Sequence, residues 1–211
     1  MKALKVLTLL LISIAAFASN EKYVEAMKKN IEAVYKAPTI EELQSAVNAL
    51  NRIGDAEKTK WEPYYYASFG NIMLATRETD VNKKDSYLDL AKVALDKALT
   101  IQPNESELAA LEGFIHMIRT SVDPQTRGAK YSMLSMQAFG KALTLNPNNP
   151  RAMALMAQMQ FGTAQFFKQE PTEACETNAK ALQLFVDATT SNPLAPVWGK
   201  GMAEALVANC K

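Results

Sequence analysis

The spacing Ala-x3-Leu/Phe-x2-Ala-x4-Pro recurs along this chain, and it limits the fold more than any other feature. It reads Ala91, Leu95, Ala98, Pro103 and again Ala181, Phe185, Ala188, Pro193. Between them Phe139, Ala142 and Pro147 stand at the same offsets, with Ser135 in the first slot. This spacing sets small residues on one stripe of a helix with a bulky anchor a turn away, and proline then stops the helix. One hairpin of such helices cannot bury its own apolar face, so the repetition implies hairpins that stack.

The helix ends are written in capping residues. Thr39-Ile40-Glu41-Glu42 reads as a capping box, and Asn104-Glu105-Ser106-Glu107 offers a second with Asn104 as cap. Asp123-Pro124 and Asn149-Pro150 each pair an N-cap with proline at the first helical position, and Pro63 and Pro171 mark two further starts. Apolar residues then recur at three and four: Val24, Met27, Ile31, Val34; Leu43, Val47, Leu50; Leu88, Ala91, Leu95, Ala98. These signals predict helices near 20–36, 39–53, 62–78, 84–101, 105–120, 125–145, 150–167, 172–190 and 195–209, with no strand. The expected fold is all-α: antiparallel hairpins in one domain over 19–211, closed by a capping helix at about 195–209.

At the N-terminus, Lys2 and Lys5 precede an apolar run from Val6 to Ala18 that ends Ala16-Phe17-Ala18. As a helix the run is roughly 20 Å long against a hydrocarbon core of about 30 Å. A short apolar run with a small-x-small ending reads as a signal peptide, 1–18, cut near Ala18, with an uncleaved N-terminal anchor as the alternative. That implies export, to the periplasm or outside the cell, with no membrane span in the mature chain. The sequence has 23 basic and 22 acidic residues, and removing two signal lysines leaves 21 against 22, a net of −1. With no basic stretch, the footprint of a nucleic-acid binder is missing.

The spaced residues resemble the tetratricopeptide repeat (TPR), in which Ala, Phe, Ala and Pro occupy the second helix and following turn. That family also has a small residue ten positions after the proline, where a first helix presses on its neighbour. Gly113, Ala157 and Ala203 hold those places, and Gly70 matches them in the preceding hairpin. The resemblance covers about 62–203 and implies a right-handed solenoid of about nine helices. The prolines stand 44 and 46 residues apart, against a usual repeat of about 34. The excess falls between the two helices of each hairpin, around 79–88, 120–130 and 163–174. The family's groove is lined by first helices, which points to Tyr64, Asn71, Glu107, Phe114, Arg151, Gln158 and Phe161 as contacts for an unidentified protein or peptide. The implied function is a non-catalytic scaffold, with no cofactor.

Other residues invite chemistry. His116, the only histidine, falls in an apolar context with no nucleophile beside it, and in the family alignment it takes a packing position. Met153, Met156 and Met159 are soft thioether candidates for Cu(I), which would make a metal-handling protein. Their spacing of three spreads them over about 120° of a helix, which suits packing better than closing on one ion. A self-associating structural protein, hence a homo-oligomer, is a further alternative. Cys175 and Cys210 are the only cysteines. They fall at the start of one helix and the end of the next, antiparallel one, so a disulfide is expected, with two unlinked thiols as the alternative. Tyr64, Tyr65 and Tyr66 are consecutive on a helix and cannot share a face, so at least one is expected at a seam or in solvent.

Overall fold

The computed structural model describes residues 20–210, all of its regular elements being helices. The signal sequence and its cleavage point lie outside the described residues. Helix α1 covers 20–36. It is followed by α2 (Ile40–Glu57), α3 (Glu62–Arg77), α4 (Val81–Ile101), α5 (Ser106–Val122), α6 (Pro124–Leu145), α7 (Pro150–Phe166), α8 (Thr172–Asp187) and α9 (Lys200–Val207). From α2 onward each helix packs on the next, and the odd-numbered helices α3, α5, α7 and α9 also touch in series. They form the inner layer of a curved stack, with α4, α6 and α8 outside.

The caps act much as their sequence suggests. Thr39 Oγ1 accepts from the Glu42 amide at 3.2 Å. Asp123 caps α6 through Thr126 N, and the Asn149 carboxamide oxygen takes both Arg151 N and Ala152 N at 3.0 Å. Two assignments change. Glu105, not Asn104, caps α5, its carboxylate accepting from Glu107 N. Ser106 is thereby freed to donate to Ala142 O at 2.8 Å, tying α5 to the end of α6. Asp80, which carried no sequence expectation, starts α4 several residues early by accepting from Lys83 N.

The repeat spacing is the packing plan. Ala91, Leu95, Ala98, Phe139, Ala142 and Ala181 are all fully buried. Phe139 lies where a Cβ on Gly113 would collide with its ring, and Val47 approaches Gly70 in the same way at 2.5 Å. Gly113 and Gly70 are thus sockets for a bulky side chain of a neighbouring helix. Burying such a side chain is worth about 1.5–3 kcal/mol, and an added methyl at Gly113 would force the ring out. Ser135 fits the alanine slot because its hydroxyl donates to Gly113 O at 2.8 Å, leaving no buried donor unmet.

The third repeat breaks the plan. α8 stops at Asp187, so Ala188 is exposed instead of buried. Residues 188–199 then run without helix before α9, which begins at Lys200 rather than 195. Pro193 and Pro196 cannot donate to a helical ladder, and the segment finds its partners on the inner layer. Gly199 ends it at φ 104°, where a Cβ would also lie 2.9 Å from Phe185. Only glycine meets both demands. The structure joins Cys175 to Cys210, with Cα atoms 5.6 Å apart, so residues 188–199 lie inside a covalent loop.

Candidate functional site

The concave face is occupied by the chain itself. Trp198 stacks on Phe69 and Phe114, with ring centroids 4.8 and 5.7 Å away. Its indole N–H donates to Tyr65 Oη at 2.9 Å, and Tyr65 in turn donates to Glu107 at 3.4 Å. Glu107 accepts Arg151 Nε and Nη2, both at 2.7 Å, and Arg151 Nη1 donates to Pro196 O at 3.0 Å. Tyr66 Oη donates to Leu194 O at 2.8 Å. The network closes on itself, each buried polar group meeting another. Burial alone would ease the proton off Arg151, but its hydrogen bonds to Glu107 outweigh that and hold the guanidinium charged. Burial pushes the phenols of Tyr65 and Tyr66 well above their usual range, so both are neutral donors.

This arrangement locates the residues singled out in the sequence. Tyr64, Asn71 and Phe114 are buried. Tyr64 donates to Asp55 at 2.7 Å and Asn71 to Ala67 O. Glu107 and Arg151 belong to the network just described. Gln158 and Phe161 remain accessible on α7. All three consecutive tyrosines are buried, and Tyr65 and Tyr66 lie at a seam, where they meet Trp198 and Leu194. α3 is enclosed on every side because residues 194–198 cover the face a solenoid leaves open. His116 is half-buried and stacks on Tyr131 at 5.8 Å, and burial lowers its pKa. The methionines diverge: Met153 packs near Ala154, Ala181 and Ala203, whereas Met156 and Met159 join the main core.

The open concavity lies elsewhere, between the elbows. A groove of about 620 Å³ runs between the C-terminal half of α5, the first turns of α6 and the end of α7. Met117, Met159, Pro124, Ala129, Phe166 and Phe167 supply its apolar wall, and no charged side chain lines it. Its hydroxyls are already committed as donors: Thr120 to His116 O, Ser121 to Ile118 O, Ser132 to Ala129 O and Thr163 to Met159 O. Their hydroxyl oxygens keep lone pairs free to accept, and Thr120 and Thr163 add methyl groups to the lining. Phe166 and Phe167 are each 62% exposed and meet edge to face at 5.2 Å on its lip. Two adjoining large rings in solvent make a contiguous apolar patch, the kind of exposed surface that marks an interaction site.

Most of the groove comes from the residues that enlarge the repeats, 120–130 and 163–174. The excess length was visible in the sequence; that its inner face is uncharged was not. Arg119, Arg127 and Lys130 interrupt the same stretch, and only the helical register shows them turned aside. Arg127 holds Asp85 at 2.7 Å, and Arg119 pairs with Asp85 and Asp89. These pairs brace α4 against α5 and α6.

No protein-family model matches this chain, and no curated protein does. Among solved structures, a thermophilic TPR protein from Thermus thermophilus aligns over 92% of this chain and 95% of its own at 16% identity, with a TM-score of 0.56. The fold is a divergent TPR-like helical repeat. The TPR-like chain is also similar to the HusA haemophore of Porphyromonas gingivalis. That alignment covers 90% of this chain and 92% of the haemophore, at 29% identity and a TM-score of 0.79. No helix of the described residues is long and apolar enough to cross a membrane.

Proposed function

We propose that this TPR-like protein is an exported, non-catalytic carrier that holds a haem-like tetrapyrrole in the groove between α5, α6 and α7. The observation that carries the reading is the uncharged groove itself, with two exposed phenylalanines at its lip. Its volume falls in the range of about 300–1,000 Å³ usual for small-molecule sites. A flat aromatic macrocycle suits walls that offer methyl groups, thioethers and ring faces. Its ionised carboxylates would have to stay at the mouth, since no cation lines the interior. Lys168 directly follows Phe167 there. The likeness to a haemophore supports this ligand class over others of similar size and polarity.

The concave face is the weaker choice for a ligand. A peptide laid there, as the family resemblance implies, would first have to displace Trp198 from its stack and break the hydrogen bonds to Leu194 and Pro196. The groove asks for no such rearrangement. Titration of the mature chain with haemin, read by Soret absorbance and tryptophan quenching, is expected to saturate at one equivalent. No saturable change at micromolar protein would overturn the reading.

A further inference from the structure

A second hollow, of about 280 Å³, lies on the opposite flank of α7, walled by Phe161, Met202, Ala205 and Leu206. Gln158 and Gly162 line both hollows. They stand one turn apart, on the ridge of α7 that would otherwise separate the two spaces. At Gly162 that ridge is cut down to backbone, and a Cβ built there meets nothing within 4 Å. Gly113 and Gly70 have a packing reason to be glycine; Gly162 has none. Glycine inside a helix weakens it relative to alanine, so the position costs stability without any gain in packing.

Resting on the carrier reading above, we infer that Gly162 is the specificity-determining position of the site. Its missing side chain forms a notch that joins the two hollows. One edge of a bound tetrapyrrole crosses α7 there, from the wall of Met117 and Met159 toward Phe161 and Leu206. Residue 162 therefore sets how wide a macrocycle the site admits, and α9 is part of the site.

Haemin and protoporphyrin IX serve as probes, titrated into the mature chain and three variants. Gly162→Leu fills the notch and is expected to weaken both probes at least tenfold. Ala205→Trp narrows the far hollow from an exposed position on α9 and is expected to weaken them at least threefold. Gly140→Leu, on α6 outside both hollows and equally free of neighbours, is the control, expected within twofold of wild type. All should retain wild-type helicity, and if Gly162→Leu does not, Gly162→Ala and Ala205→Trp decide the question. Wild-type uptake with Gly162→Leu unchanged overturns the notch while leaving the groove as the site. Loss in Gly162→Leu with none in Ala205→Trp overturns the crossing toward α9. A wild-type chain that takes up neither probe overturns the carrier reading and this inference together.

Discussion

The concave face and the elbow groove are built from the same helices, yet one is shut and the other open. The concave face has what a peptide-binding solenoid needs: an aromatic stretch on α3, a cation on α7 and a carboxylate on α5. Residues 194–198 have taken that place, so these groups bond to the chain's own carbonyls and indole. The elbow groove has no such complement, and its phenylalanines stand in water. A repeat fold presents several surfaces, and its concave one can become core when the chain supplies a permanent occupant. Recognition is then free to move to wherever the repeats were lengthened.

The largest expected effect lies at the shut face. Trp198→Ala removes the ring stacked on Phe69 and Phe114 and the donor to Tyr65. Truncating a buried aromatic costs about 3–5 kcal/mol, which chemical denaturation measures directly. Haemin affinity should stay within twofold where the variant is folded, because Trp198 does not line the groove. If stability is unchanged, residues 194–198 are a loose cover, and the contrast between the two faces fails.

Next comes the covalent loop. Cys175 and Cys210 enclose 35 residues of sequence separation that include the whole segment on the concave face. Replacing both with serine is expected to lower stability by about 2–4 kcal/mol through the freed unfolded chain. The loss should appear first as exposure of Trp198, read by a red shift of its emission, since α9 and residues 188–199 lose their tether. A double variant that melts like wild type would mean that the contacts to Tyr66, Arg151 and Tyr65 hold the segment unaided.

Much of this fold was legible in the sequence, and its failures fall in one place. Ala98, Ala142 and the sockets at Gly70 and Gly113 follow from spacing, because a small residue opposite a bulky anchor has a single packing solution. Asp123 and Asn149 were readable because a cap acts on amides two or three residues away. Ala188 and the start of α9 were misread for one shared reason. Each depends on residues 188–199 returning to α3, and no local pattern encodes a contact of more than a hundred residues' separation. The groove was half legible: the excess at 120–130 and 163–174 stood out, but the direction of Arg119 and Arg127 depends on carboxylates contributed by α4.

The smallest expected change in stability sharpens the open side of the comparison. Phe166 and Phe167 are mostly in solvent and touch mainly each other, so replacing both with alanine should shift unfolding by less than about 0.5 kcal/mol. Ring stacking beyond simple burial is worth about 0.5–1.5 kcal/mol per aromatic pair, and about 1.4 kcal/mol corresponds to tenfold in affinity. Haemin should therefore bind the double variant about tenfold more weakly at nearly unchanged stability, the reverse of the pattern at Trp198. If instead the double variant unfolds more easily and binds haemin normally, the lip is a structural element of the α7–α8 elbow. The uncharged groove would then owe its shape to packing alone.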